Sequence, residues 1–504
     1  MTVEPALPAW WLEDALAAEK PRAAPALARD LDVDVAVVGG GYTGLWTALA
    51  LRERSPELRV ALLEAEICGA GPSGRNGGFL HGYWASLASL RALLGDAGAL
   101  RLAAAAEAIV RGVRAFAEAR REDVWLREGG MVMVSAAPAQ DGAVARAVEA
   151  AAALGRPDQA VPLDGEELAR RVASPAFRGG VYFPDGATVH PGRLVRALRR
   201  AALDAGVELH EGTPVRRVRD RVLETAGGSV VRAREIVLAV NAALTGWSPA
   251  SRNLTNFGSY VVLTEPAPEL VEEIGWTGGE AIMDARMFLH YFRTTNDGRV
   301  LMGSGSGPIG FGGRVDERFS RDRATAGRAE AGLRRLLPGL AGARVERAWG
   351  GPIDVSADHL PFFATKPGTR IHYGAGYSGH GVGPSWLGGR ILASLALGAD
   401  DEWTRLPLAA RRVPPAAAGA VPPRRRRARA HVDHGLRGRR GEGPSPTVRR
   451  ARRSRAAAAP RHGARNPLAA RPTPASRAGR CRRRSSGRCR ASRSRRPAAS
   501  SPGP

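Results

Sequence analysis

The hydrophobic and polar positions of this chain follow two periods in turn. DVDVAVV, from Asp32 to Val38, is a β-branched run suited to a buried parallel strand, while LWTALALRERS, from Leu45 onward, has helix-forming composition with its apolar residues on one face. A second apolar run, LRVALLE, ends in Glu64. The three pieces predict a strand, helix, strand unit. Farther on, Leu90 to Glu122 reads as one or two helices and WLREGGMVMVS as a strand after a Gly-Gly turn. YFPDGATVHPGRLVRALRRAALDAGVELHEGTPVRRV reads as an amphipathic helix opened by Pro191, with a strand after Gly206. REIVLAVNAAL adds another apolar strand, and these pieces are expected to extend the parallel sheet begun at Val33.

From Tyr260 to Gly303 the pattern changes to β-rich runs (SYVVLTE, MFLHYFRTT, GRVLMGS) separated by turn residues, as in an antiparallel sheet. A helix from about Ala324 to Leu337 follows, and then IHYGAGYSGHGVGPSWLGGRILASLALG gives a strand, a glycine loop and a helix, with the ordered part ending near Leu408. The expected fold class is α/β (α+β), with two interleaved domains. Residues 30–88, 185–247 and 343–408 form a Rossmann-like nucleotide domain, and 89–184 with 248–342 form an antiparallel-sheet substrate domain. Residues 1–29 are an N-terminal lead and 411–504 a disordered tail.

The turn inside the first unit, VVGGGYTG, gives it a chemical meaning. A G-x-G-x-x-G alone is weak evidence in a chain with 62 glycines. Here a strand precedes it, a helix follows, and Glu64 stands 20 residues beyond Gly44. Gly39 permits the tight turn, Gly41 admits a pyrophosphate close to the backbone, Gly44 lets helix and strand pack, and Glu64 is placed to accept from a ribose. Tyr42 and Thr43 belong to the same cradle. At this point the residues leave NAD and FAD both open.

The formal charge of +25 suggests a nucleic-acid binder until its distribution is read. Residues 411–504 hold 28 arginines, no lysine and two acids, a net +26, so the remainder stands at −1. The tail has no Phe, Tyr, Trp, Ile, Met or Lys, too little apolar surface to offset its ordering entropy. Its composition is that of GC-rich codons, as expected of a high-GC gene read out of frame past about Ala410. The competing reading is an arginine-rich arm that binds nucleic acid non-specifically, on a vestigial flavin fold. Before residue 411 the only cysteine is Cys68, which excludes a disulfide framework, and no metal site is expected. Cys68 reads as a small packing residue, not a flavin tether. No apolar run approaches bilayer length, and the first twenty residues have acids where a secretory signal has bases, so a cytoplasmic location is expected.

VVGGGYTGLWTALAL with LLEAE, GPSGRNGG and the distant GYSGHGV together resemble the FAD-dependent oxidoreductases of the D-amino acid oxidase and glycine oxidase superfamily. Within it, the resemblance is nearest to γ-glutamylputrescine oxidoreductase-like amine oxidases, and it covers roughly Trp10 to Leu408. Two further glycine loops also suit a flavin, which needs backbone donors beside its ring as well as at its pyrophosphate. The resemblance implies non-covalent FAD, with Ser73, Arg75, Asn76, Gly77 and Gly78 along the phosphates and one side of the ring. Gly376, Tyr377, Ser378, Gly379, His380, Gly381 and Val382 would lie at the ring's polar edge, at the start of a helix whose positive end favours negative charge there. Val215 matches the position whose backbone meets the adenine. The catalytic candidates are His380 and Tyr291. His290 precedes Tyr291, so strand alternation sends the two to opposite faces and only one can face the flavin; Tyr260 can likewise face substrate or core.

The implied reaction is hydride removal from the carbon beside a neutral amine nitrogen, giving an imine that water hydrolyses. Oxygen or another acceptor takes the electrons. Glycine oxidase relatives hold the substrate carboxylate with an arginine shortly after a Trp-x-Gly strand. In AWGGPIDVSADHLPFF that place falls at Ile353, while Arg347 precedes Trp349. The expected substrate is therefore a primary or secondary amine with no carboxylate on its reacting carbon, such as a polyamine derivative. Glycine, sarcosine or a D-amino acid is the alternative, with Arg286 or Arg293 as the clamp.

Overall fold

In a computed structural model, which describes residues 9–310 and 313–416, two large sheets carry the chain. In the first, strands run in the order Phe362–Thr365, Ile371–Ala375, Val230–Leu238, Leu31–Val38, Val60–Leu63 and Glu208–His210. The Leu31–Val38 strand lies between two parallel neighbours, which explains why its burial is nearly continuous. Glu208–His210 and Ile371–Ala375 continue the parallel set; Phe362–Thr365 and the Val215–Arg219/Val222–Thr225 hairpin add antiparallel edges. Helices Tyr42–Arg54 and Pro384–Leu397 pack together closely enough that a Cβ on Gly389 would lie 2.4 Å from the Trp46 Cβ. Helix Pro191–Asp204 starts on Pro191, with the His190 ring accepting from the Arg193 N–H at 3.1 Å.

The second sheet is mostly antiparallel. Leu254–Thr264, Val300–Ser304, His290–Thr294 and Ala281–Asp284 follow one another, and Met131–Ser135 joins parallel to Ala281–Asp284. Alternation gives this sheet two different faces. Tyr260, Val262, Phe292 and Met302 pack under helix Arg323–Leu336, and Val261, Leu301 and Trp349 face Trp11 and the glycine loops.

Two expected boundaries move. Residues from 343 onward were assigned to the nucleotide domain, but Val345–Ser356 pairs with Leu254–Thr264 along its whole length, so this strand belongs to the second sheet and the chain returns to the first at Phe362. Order was expected to end near Leu408 and the disordered tail to begin at Arg411, but the Arg411 guanidinium grips the Asp358 carboxylate at 2.6 and 2.8 Å, and the Ala416 N–H donates to the Arg252 carbonyl at 2.8 Å. The rest of the tail expectation falls on residues 417–504, outside the described residues. Of the N-terminal lead, the described residues 9–29 are an integral part of the fold. Trp11, on helix Trp10–Ala18, is fully buried, and Glu19 sits among Arg196, Arg199 and Arg200 of helix Pro191–Asp204. Among the described residues no helix is long and apolar enough to cross a membrane.

Candidate functional site

Three glycine-rich loops meet at the carboxyl ends of the parallel strands, where open α/β sheets offer their crevice. Gly39 leaves the first strand at φ +110°, and a Cβ there would lie 2.4 Å from the Ala239 carbonyl oxygen, so only glycine fits. A Cβ on Gly44 would lie 2.0 Å from the Gly39 oxygen, so turn and helix touch backbone to backbone. Helix Tyr42–Arg54 has no acid in its first turn, which leaves its positive end for an anion. The Glu64 carboxylate braces the loop: Oε2 accepts the Gly40 N–H at 2.6 Å and Oε1 that of Glu66 at 3.0 Å. Burial pushes its pKa up, and each oxygen keeps accepting capacity for a second donor. The Thr213 N–H donates to the Glu64 carbonyl at 2.7 Å, bringing Val215 to the same end of the sheet.

The second loop is tied to the first through Ser73, whose Oγ accepts the Tyr42 N–H at 2.9 Å and would lie 2.9 Å from a Cβ on Gly41. Asn76 is a brace internal to this loop. Its amide donates to the Pro72 and Ser73 carbonyls at 3.2 and 2.9 Å, and its Oδ1 accepts the Gly78 N–H at 2.7 Å. The Arg75 guanidinium donates to the Ala70 carbonyl and the Ser320 hydroxyl, burial lowers its pKa, and the Trp349 indole holds its carbonyl at 2.8 Å. Tyr291 comes from the facing sheet, its ring 2.7 Å from where a Gly77 Cβ would stand. Its hydroxyl lies 2.8 Å from Ser259 Oγ, and burial pushes its pKa up to about 12.

The third loop is joined to the first by the Thr43 and Tyr377 hydroxyls, 2.7 Å apart, and is anchored by an acid that the sequence reading passed over. Asp354 is fully buried, and its carboxylate accepts the N–H groups of Gly376 and Tyr377 at 2.5 and 3.2 Å and the Asn241 amide at 2.8 Å. Burial pushes its pKa up to about 7. Ser378 donates its N–H to the Asp354 carbonyl, and its Oγ accepts from Ser356. Gly376 and Gly379 take φ of +82° and +85°, and Gly381 and Val382 lead into helix Pro384–Leu397. The His380 ring meets that of His81 at 5.9 Å; burial, helped by His81 and His359, lowers its pKa to about 4.

Alternation decides the open choices. Tyr291 is on the glycine-loop side, while His290 meets Gly332 and donates its N–H to the Asp284 carboxylate at 2.9 Å, on the helix side. The Tyr260 hydroxyl accepts the Asp322 N–H at 2.6 Å, also away from the loops. Asp354 carried a signal in the sequence, as the one acid inside the otherwise uncharged GGPIDVS run. Asn241 carried none.

These residues fit FAD. An uncompensated helix N-terminus faces a loop in which side chains larger than hydrogen are excluded, Glu64 retains accepting capacity for a ribose, and the Asn241 Oδ1 is buried with no protein partner beside the third loop. Cys68 is buried, its sulfur 2.5 Å from a Gly40 Cβ position, as a packing residue would be.

The family described as "FAD dependent oxidoreductase" (DAO) matches residues 34–395. The probable oxidoreductase OrdL of Rhizobium meliloti (strain 1021) is 30% identical over 379 residues, 73% of this chain and 84% of that protein. The γ-glutamylputrescine oxidoreductase of Escherichia coli (strain K12) is 30% identical over 379 residues, covering 74% and 85%. The crystal structure of glycine oxidase from Geobacillus kaustophilus has the same fold, with a TM-score of 0.63 at 23% identity over 76% of this chain and 99% of that one. With the matched span running from the first strand to the last helix, the chain belongs to the DAO family of FAD-dependent oxidoreductases.

Proposed function

We propose that this enzyme oxidises the C–N bond of a primary or secondary amine whose reacting carbon carries no carboxylate, a polyamine derivative being the model substrate. The observation that supports this reading is that each arginine available to clamp a carboxylate already has a protein partner for part of its guanidinium, with Nη2 of Arg293 and Nε of Arg347 left without one. Arg286 pairs with Asp284 at 2.9 Å. Arg293 is fully buried and donates to the carbonyls of Val189 and Thr294 at 2.5 and 3.0 Å. Arg347 reaches toward Glu13 of the N-terminal helix at 3.9 Å, and Ile353 stands where an arginine would follow Trp349. A buried carboxylate without a bidentate partner loses its compensation for desolvation.

FAD would supply the acceptor for a hydride from the carbon beside the nitrogen; the nitrogen's proton would leave to solvent, and water would convert the imine to a carbonyl and a smaller amine or ammonia. The chain's own part is to hold and orient. In this reading Gly39, Gly41, Tyr42, Thr43, Gly44, Glu64 and Val215 hold the adenosine and pyrophosphate. Ser73, Arg75, Gly77 and Gly78, in a loop that Asn76 braces, hold the phosphates and one side of the ring, Gly376 to Val382 hold its polar edge, and Tyr291 and His380 border the reacting carbon. Oxygen reduction at the ring develops negative charge that a nearby lysine would stabilise, so the position of the lysines favours an acceptor other than oxygen. Lys20 is exposed in the lead, and Lys366 lies over the Trp247 ring at 5.4 Å, so neither stands in the strands facing the loops. The cytoplasmic expectation goes with this reading.

Anaerobic bleaching of the bound flavin by a panel of amines and amino acids tests the assignment. Polyamine derivatives should bleach it. Efficient reduction by D-alanine or sarcosine, with none by polyamine derivatives, would favour the amino acid reading instead. Stopped-flow mixing of the reduced enzyme with oxygen should give a rate near that of free flavin.

A further inference from the structure

Register and alternation decide what the second sheet shows to the glycine loops. Ser259 pairs with Gly351, and Val261 with both Trp349 and Gly303, so Ser259, Gly303 and Gly351 lie on the face of Val261 and Trp349. Tyr291, opposite Gly303 on the next strand, shares that face. A Cβ on Gly303 would lie 2.0 Å from the Tyr291 ring, so this glycine lets the ring lie across its strand, and the hydroxyl reaches Ser259 one strand farther on at 2.8 Å. Beside the pair the face is open. A Cβ on Gly351 would meet nothing nearer than the Arg75 Cδ at 3.6 Å, and one on Gly305 nothing nearer than the Leu289 carbonyl oxygen at 3.9 Å. Ser259 and Tyr291 are both partly exposed, and because helix Arg323–Leu336 covers the opposite face, they are exposed on the loop side.

The protons of this hydroxyl pair have one arrangement that satisfies both of its contacts. Ser259 has a single proton, and the Ser304 carbonyl, 3.3 Å from its Oγ, can only accept. Ser259 therefore donates to Ser304 and Tyr291 donates to Ser259, which leaves the Tyr291 oxygen able only to accept from anything else. We propose that Ser259 is a positioning residue that fixes the Tyr291 hydroxyl as an acceptor, and that the Tyr291 oxygen receives an N–H of the substrate amine in the open space over Gly305 and Gly351. This rests on the amine-oxidising reading above. Burial holds the phenol's pKa up at about 12, so it keeps its proton at neutral pH and does not act as a base. A carboxylate, which only accepts, finds no donor in this pair. The Arg75 guanidinium, turned to the Ala70 carbonyl and the Ser320 hydroxyl, is a cation at the edge of the same space and opposes a charged ammonium, so the amine sits there neutral, as hydride removal requires.

The test uses the flavin-loaded full-length enzyme and two ligands of matched length: N-acetylputrescine, and the N-acetyl amino acid that carries a carboxylate in place of its terminal aminomethyl group. Apparent Kd is read from anaerobic flavin reduction for the amine and from the change in the flavin absorption spectrum for the carboxylate. In Ser259→Ala the phenol is free to turn and donate, so amine binding should weaken about fivefold while carboxylate binding strengthens by a similar factor. Damage to packing alone would weaken both. Ser259→Thr, which restores the hydroxyl, should return both ligands to near their wild-type values, and in the Tyr291→Phe background Ser259→Ala should change neither. A Ser259→Ala enzyme that moves both ligands in the same direction, moves neither, or keeps its effect in the Tyr291→Phe background would overturn the proposal and leave the amine reading standing. A wild type whose flavin is reduced by sarcosine and not by N-acetylputrescine sinks the amine reading and this proposal with it.

Discussion

The Asp354 carboxylate accepts the Gly376 N–H at 2.5 Å across the junction of the two sheets, so a strand of the second sheet fixes a loop of the first. Asp354→Ala would leave the Gly376 and Tyr377 N–H groups and the Asn241 amide without their acceptor, a loss on the order of 1–3 kcal/mol for each buried group. Both the melting temperature and the flavin-to-protein absorbance ratio should fall. Because burial raises this carboxyl from 3.8 to about 7, the folded state holds the proton more tightly than the unfolded chain. Its contribution is therefore full below about pH 4 and is lost as the pH rises toward 7. The difference in melting temperature between the wild type and Asp354→Asn should therefore shift against the wild type as the pH rises from 4 to 7.

Glu64 holds two N–H groups, of Gly40 and Glu66, before any ribose is considered. In Glu64→Gln one carboxylate oxygen becomes an NH2 that can only donate, so one loop contact is lost along with the charged acceptor. FAD retention should weaken by roughly 1.5–3 kcal/mol, the worth of a hydrogen bond to a charged group. Titration of the apoprotein with FAD checks this, and unchanged affinity would place the nucleotide elsewhere.

The strand, turn, helix, strand unit was legible because each local signal agreed with the next: β-branched strand, three glycines, helix, acid. The second sheet was legible as a change of period. What escaped was set by contacts far apart in sequence. Val345–Ser356 mixes charged, glycine and apolar residues with nothing to say which sheet it joins, and only pairing with Leu254–Thr264, some eighty residues earlier, decides it. Asn76 looked like a flavin ligand, but its side chain is occupied within its own loop, since three backbone groups lie within its reach. Tyr291 and His290 could be separated by alternation, but which faced the loops depended on where helix Arg323–Leu336 packed.

Acid should loosen the third loop. His380 moves from 6.5 to about 4 on folding, and burial also lowers His81, His190 and His372, so the unfolded chain binds more protons than the folded one in this range. Stability from these groups is present above the unfolded value near 6.5 and is lost as the pH falls toward 4, the opposite direction to Asp354. Melting temperatures measured from pH 7 down to 4 should decline, and His380→Gln should flatten part of the decline. A curve of unchanged shape in that variant would show that His380 is not held neutral by the fold.

Arg411 is where composition and structure disagree, and it yields the sharpest test. By composition it opens the arginine-rich tail; by contact it belongs to the body, because its guanidinium is 11% exposed and carries the Asp358 carboxylate, itself 7% exposed, together with the Leu360 and Pro361 carbonyls. Removing one partner of a buried pair leaves the other charge uncompensated, at a cost of about 3–5 kcal/mol. Truncation after Ala410 and the single change Arg411→Ala should therefore both lower the melting temperature, and both should disturb the Asp358 to Pro361 wall beside Tyr377. Truncation after Ala416 keeps the pair, along with the Ala416 contact to Arg252, and should melt with the full chain and hold the same flavin. If truncation after Ala410 also melts with the full chain, the Asp358 pair contributes nothing to the fold, and the body ends where the composition changes.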